Sequence, residues 1–189
     1  MPSLRYRPLS DASELSDFYC NVDVMDSFIH DGLEDELREK NCEAFVVLDD
    51  DDSIIGFFAI CEDDLELSPE DKDEMMSGIS IAKTPRFSTM QDKTQFAIQN
   101  MFAAKEIAYL AIRKDKQRKG IGTAILNLIR NMTAHDAPDH YFLTVDALCI
   151  NGYSAVGFYS KFGFQCVNWD TYSCRMFCTI IPDSDDIDG

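Results

Sequence analysis

A mixed α/β domain is the fold class that the sequence predicts, and three observations predict it. Two pairs of short apolar runs, 44–48 with 54–61 and 164–169 with 172–180, are each separated by a brief polar turn, the pattern of antiparallel hairpins. Between them, strand, helix, strand and helix patterns alternate from Glu106 to Lys161. Hydrophobic residues make up 46% of the 189, enough to build the core of one domain, or of one domain with an insertion.

Each element has its own warrant. Leu4 to Leu9 alternates as a first strand, and Asp11 follows as a helix cap. Residues 12–40 read as helix in two pieces, with Met25, Phe28, Ile29, Leu33 and Leu37 at helical spacing and acids on the other face. Ala44–Leu48 and Ile54–Cys61 form the first hairpin around the charged turn Asp49–Ser53. Glu62–Glu74 holds eight acidic residues and one lysine, which suits a solvated loop or helix. Thr84-Pro85 breaks what precedes it, and 90–104 is expected as an amphipathic helix through Phe96, Ile98, Met101 and Phe102. Residues 62–105 are therefore expected as an insertion that shapes the substrate side. Glu106–Ile112 is an apolar strand, Arg113–Lys119 a basic loop, and Gly120 to about Ala134 a helix with Ile121, Ala124, Ile125, Leu128 and Ile129 inward. Tyr141–Ala147 is a strand, Ser154–Lys161 a helix, and Phe164–Trp169 with Tyr172–Ile180 a closing hairpin. A single domain over 1–181 and an acidic, disordered tail over 182–189 complete the expected organisation.

Composition narrows the function classes. The formal charge is −17, from 17 basic and 34 acidic residues. Such a surface lacks the dense positive charge that a tRNA or duplex backbone requires, and suits a cationic amine drawn in by the field. Net charge of this size also serves solubility alone. The seven cysteines have no zinc-knuckle spacing, and with only three histidines no metal site is expected. They read as reduced core thiols, Cys174 and Cys178 sharing one face of a strand. The N-terminal MPSLRYRPLSD has no signal-peptide core, and apolar stretches such as Ile54–Ile60 are too short to cross a bilayer. A cytoplasmic protein with no membrane partner is expected.

The chemistry concentrates in Gln117-Arg118-Lys119-Gly120-Ile121-Gly122-Thr123, placed between an apolar strand and an amphipathic helix. A helix start offers unpaired N–H groups and the positive end of the dipole, which favour phosphate. Gly120 and Gly122 let the main chain approach a bulky pyrophosphate, and Thr123 can add a hydroxyl. Residues 113–119 carry five basic side chains against one acid, a local reversal of charge that points to an anionic ligand. A solvated basic turn is the plainer alternative. A nucleotide P-loop is excluded by its missing Gly-Lys-Ser/Thr, and a dinucleotide fingerprint by Ile125 at its third glycine position.

Gln117, Gly120 and Gly122 match Gln/Arg-x-x-Gly-x-Gly/Ala, and Ala155-Val156-Gly157-Phe158-Tyr159 followed by Gly163-Phe164 gives a second motif. On these residues the chain resembles the GNAT superfamily of acyl-CoA-dependent N-acetyltransferases, most clearly over 106–170. The resemblance implies a central, splayed, mostly antiparallel sheet flanked by helices, open between the Glu106–Ile112 and Tyr141–Ala147 strands, where the pantetheine arm lies. It implies acetyl-CoA as co-substrate, the pyrophosphate on Gln117, Arg118, Lys119, Gly120, Ile121, Gly122 and Thr123, and the backbone of Leu110, Ala111 and Ile112 against the pantetheine amides and thioester carbonyl. The N-terminal half, with Phe18-Tyr19-Cys20, the helix Asp26 to Lys40 and Gly56-Phe57-Phe58, is similar to a branch that includes toxins of toxin–antitoxin pairs, which acetylate aminoacyl-tRNA. The asparagine that the family often places before its last helix falls on Gly152, with Asn151 one place earlier.

Two side chains are candidates for the chemistry. Tyr159, the tyrosine of the Phe-Tyr pair, is the general acid that the resemblance implies; its ordinary pKa, near ~10, is close to that of a thiol leaving group. A core aromatic with its hydroxyl at the surface is the plainer alternative. Glu106, beginning a Glu-Ile strand like that which carries the base in histone-type members, is the candidate general base, directly or through water; a raised pKa in a partly apolar cleft would suit it. A solvated strand-start glutamate is the alternative there. The expected function is acetyl transfer from acetyl-CoA to a small-molecule or peptidic primary amine in a ternary complex. An aminoacyl-tRNA-acetylating toxin is the alternative that the branch suggests, with Lys83, Arg86, Lys93 and Lys105 as its nearby basic residues and the overall charge against it. A non-catalytic acyl-CoA-binding module is a third. A homodimer is possible from the family's habit.

Overall fold

The computed structural model describes residues 4–182. Its strands are β1 (Arg5–Pro8), β2 (Glu43–Leu48), β3 (Ile54–Glu66), β4 (Met101–Ile112), β5 (Phe142–Ile150), β6 (Tyr153–Ser154), β7 (Gln165–Trp169) and β8 (Ser173–Thr179). Its α-helices are α1 (Asp23–Asp31), α2 (Leu33–Glu39), α3 (Pro69–Met76), α4 (Met90–Ile98), α5 (Ile121–Asp136) and α6 (Val156–Phe162). The sheet order is β1-β2-β3-β4-β5-β8-β7, with β6 paired to β5. β1–β2, β2–β3, β5–β8 and β7–β8 are antiparallel, whereas β4–β5 is parallel over only Ala104–Glu106 against Phe142–Thr144. The sheet is therefore mixed, mostly antiparallel and splayed, with helices flanking it.

The described residues form two compact units, residues 4–62 with Ile107–Ile129, and Asp63–Glu106 with residues 130–182. In the first, Leu15, Phe18, Ile29, Leu33, Val46, Phe57 and Ala111 make a core in which the inward stripes of α1 and α2 meet the sheet. Gly56 marks the tightest approach: a Cβ there would come within 2.9 Å of Ile125 Cδ1 on α5. A glycine in β3 is thus what lets the helix carrying the phosphate motif pack closely.

In the second unit an aromatic core joins Phe96 of α4, Phe102 of β4, Phe142 of β5 and Phe177 of β8. Both helices of this unit's first segment begin with reciprocal caps. Thr89 Oγ1 accepts from Asp92 N at 3.1 Å while Asp92 returns to Thr89 N at 2.9 Å, and Ser68 with Asp71 repeats the device ahead of Pro69. The buried Lys72 Nζ then donates to Ala97 O, Gln99 O and Asn100 Oδ1 at 2.9, 2.8 and 3.1 Å, binding α3 to the end of α4.

The helix expected from residue 12 is a 3-10 turn at Ala12–Leu15 ahead of α1, and two further elements differ from the sequence expectation. Residues 62–74 are neither loop nor helix throughout: β3 continues to Glu66 because Asp63, Leu65 and Leu67 turn inward at alternate positions. The helix expected over 90–104 ends at Ile98 and gives way to β4 at Met101. Helical spacing misled there because Ile98 and Met101 are exposed, while Phe102 and Ala104 are buried with a strand's period of two. Cys174 and Cys178 do share a buried face of β8, as free thiols. Of the tail expected over 182–189, 183–189 lie outside the described residues, and Pro182 bridges to Pro85.

Candidate active site

The phosphate motif occupies the turn from β4 into α5. Arg113 leaves the strand with its N–H on Ile55 O at 2.9 Å, and a 3-10 turn over Lys114–Lys116 reverses the chain. Gln117 braces this turn: its Nε2 donates to Cys20 O at 2.6 Å and to Ile112 O at 3.0 Å. Arg118 and Gly120 then take left-handed φ values of 61° and 80°. At Gly120 this conformation disfavours any side chain, and the space beside its Cα is open. The first α5 bond runs from Ala124 N to Gly120 O at 3.0 Å, so the preceding amides have no partner within the helix. Alternating backbone handedness followed by a helix start is an anion-binding arrangement.

Charge in this loop is divided. Arg113 forks onto Asp115 at 2.6 and 3.1 Å, a pairing that pushes the guanidinium up and holds the carboxylate down. Lys116 pairs with Asp49 at 3.2 Å. Lys119 reaches Asp115 O at 2.9 Å, and Lys114, Arg118 and Lys119 are exposed. Of the five basic residues, these three are the ones placed to meet an outside anion. In the same unit Leu110, Ala111 and Ile112 lead the strand into the loop, and Tyr109 is fixed by Glu36 at 3.1 Å and by a ring stack on Phe28 at 4.3 Å.

Tyr159 and Glu106 belong to the other unit. Tyr159 lies on α6, 5% exposed, edge-on to Phe158 and Phe164 with ring centres 5.0 and 5.2 Å away. Gly163, at φ 103°, ends that helix in a left-handed cap and turns Phe164 back beneath the tyrosine ring. Burial, with a smaller contribution from Tyr153, pushes the Tyr159 phenol above its ordinary range. Glu106 opposes Thr144 in the parallel register and lies 3.9 Å from Arg175 Nη1. The structure thus places Tyr159 as a buried ring rather than a rim residue, and Glu106 in a network of charge rather than in bulk solvent. Among the described residues, no group of three or more His, Cys, Asp or Glu is arranged to hold a metal ion, and no helix is long and apolar enough to cross a membrane.

Residues 41–166 match the acetyltransferase (GNAT) domain model, two thirds of the chain including the loop, Glu106 and Tyr159. The chain belongs to the GNAT acetyltransferase family. No curated protein sequence matches it. Its fold is similar to that of a bacterial toxin at 18% identity, TM-score 0.64, over 95% of this chain and 92% of that one. It is similar to AtaTR bound with acetyl-CoA at 18% identity and TM-score 0.62, over 95% of both chains. It is also similar to AtaT complexed with acetyl-methionyl-tRNAfMet at 18% identity and TM-score 0.61, covering 92% and 94%.

The cradle of this GNAT enzyme fits the pyrophosphate of an acyl-CoA: open space at Gly120, helix-start amides and exposed Arg118 and Lys119 supply room, dipole and charge together. Sequence reasoning missed the surroundings of Glu106: Arg175, 3.9 Å away, the register neighbour Thr144, and the carboxylates of Asp63 and Asp146 that share that guanidinium. The available signal was Arg175 itself, a lone cation inside the otherwise apolar run Cys174–Cys178. Asn151 and Gly152, both at positive φ, form the tight turn into β6.

Proposed function

We propose that this chain transfers an acetyl group from acetyl-CoA to the α-amino group of an aminoacyl-tRNA. The observation that carries the reading is the extent of the likeness to AtaT, which covers 92% of this chain, and that relative is complexed with acetyl-methionyl-tRNAfMet. In this reading Gln117 to Thr123 hold the pyrophosphate, and the main chain of Leu110 to Ile112 meets the pantetheine amides and polarises the thioester carbonyl. The amine nitrogen bonds to the carbonyl carbon as the carbon–sulfur bond breaks. Glu106 takes the proton that the nitrogen loses, and Tyr159 gives one to the departing sulfur. Burial keeps the phenol neutral, the form that can donate a proton.

Acetyl transfer to a small-molecule or peptidic amine is the second reading, favoured by the net charge of −17. The first then rests on local charge: Lys83, Arg86 and Lys93 are exposed in one segment, next to Phe87 and Met90. The test is incorporation of labelled acetyl from acetyl-CoA into a fractionated cell lysate. Label in base-labile RNA supports the tRNA reading; label confined to small amines or protein transfers the assignment to the second.

A further inference from the structure

On one face of the sheet, four neighbouring strands change character along a single line. On β3 the inward Leu65 is followed two places away by Asp63; on β4 Ala104 by Glu106; on β5 Phe142 by Thr144 and Asp146; on β8 Phe177 by Arg175. Register pairs Ala104 with Phe142, Glu106 with Thr144, Thr144 with Phe177 and Asp146 with Arg175, so these residues do share a face. The aromatic core of the second unit therefore ends in a polar row, and Glu106 is a member of it.

Arg175 is the only cation in the row. Its Nη2 pairs with Asp63 Oδ2, and that same carboxylate oxygen accepts from the buried Thr144 hydroxyl. This clamp fixes one edge of the guanidinium. The other edge, Nη1, faces Glu106 Oε1 at 3.9 Å and Asp146 Oδ1 at 3.6 Å. Those lengths are ion-pair distances rather than hydrogen bonds, so Nη1 acts on the two carboxylates through charge. Arg175, Asp63 and Glu106 have side chains only 21%, 20% and 15% exposed, where screening by water and salt is weak.

We propose that Arg175, held by Asp63 and Thr144, is a positioning residue for Glu106 in acetyl transfer. The guanidinium draws the Glu106 carboxylate to one side of the row and so sets where a proton taken from the incoming amine would be received. Because the fork is planar and clamped at one edge, the direction of that pull is set; an ammonium on a flexible stem would not set it. The proposal rests on the assignment of Glu106 as the general base.

The test is a double-mutant cycle on kcat, using labelled acetyl-CoA with whichever acceptor the native enzyme labels, aminoacyl-tRNA or spermidine. Glu106→Gln alone is expected to lower kcat at least ~10²-fold, and Arg175→Gln alone ~10-fold, with KM for acetyl-CoA unchanged. In the Glu106→Gln background, Arg175→Gln is expected to have less than a ~2-fold further effect, because its action passes through the missing carboxylate. Asp63→Asn and Arg175→Lys, which leave a polar or cationic group in place, repeat the cycle should Arg175→Gln not fold. An Arg175→Gln or Asp63→Asn loss of the same size in both backgrounds would mean a merely structural network and overturn the proposal. Unchanged kcat in Glu106→Gln would overturn the base assignment, and this proposal with it; a loss in Glu106→Gln alone would overturn only the role of Arg175.

Discussion

At the scale of single residues, the environment of Tyr159 separates its two readings. Its ring is packed between Phe158 and Phe164, as a core aromatic would be, yet it follows Phe158 in the family's Phe-Tyr position on α6. Tyr159→Phe removes the hydroxyl and keeps that packing. It is expected to reduce kcat by ~10² or more with acetyl-CoA affinity, read by calorimetry, nearly unchanged. The pH dependence has a definite sign. Because the folded phenol titrates above its ordinary pKa of 10.0, the neutral acid persists through that range, and kcat should show no loss from Tyr159 ionisation as pH rises through 10.0. Its share of stability is fully present below 10.0 and is lost as pH climbs toward the raised folded value. At Gly120, where φ is 80°, valine adds both strain and bulk, and with Gly122→Val it is expected to abolish acetyl-CoA binding at concentrations that saturate the native protein.

At the scale of elements, close packing places the phosphate loop. Gly56→Val would drive side-chain atoms into Ile125 and is expected to cost about 1–3 kcal/mol in chemical denaturation. Lys72→Met would leave Ala97 O, Gln99 O and Asn100 Oδ1 without their shared donor, and about 2–4 kcal/mol is expected from the loss of a buried charged hydrogen-bond centre. Elements with a strong period were legible in the sequence: the hairpin of β2 and β3, the helix α5, and the closing strands β7 and β8. The segment 62–105 was not, because acidic residues there obscure a strand whose inward positions are Asp63, Leu65 and Leu67. Phe102, four places after Ile98, also imitates a helical repeat. The cradle was readable because its glycines and charges are local in the chain. The charged row around Glu106 was not, because Asp63, Thr144 and Arg175 are far apart in sequence and are brought together only by strand register.

At the scale of the whole molecule, charge and likeness pull in opposite directions. With twice as many acidic as basic residues, a nucleic-acid acceptor has to be gripped by a small basic area, and few phosphate contacts imply a shallow salt dependence. The triple variant Lys83→Glu, Arg86→Glu, Lys93→Glu is expected to lower kcat/KM for aminoacyl-tRNA by ~10-fold or more at low salt, while leaving acetyl-CoA binding intact. The central claim is tested most directly by incubating the purified enzyme with acetyl-CoA and charged tRNA, digesting the tRNA with ribonuclease, and weighing the released aminoacyl-adenosine by mass spectrometry. N-acetylaminoacyl-adenosine is expected in the native sample, and its loss with Tyr159→Phe. Unmodified aminoacyl-adenosine alone, from an enzyme that still acetylates spermidine or a peptide amine, would contradict the claim.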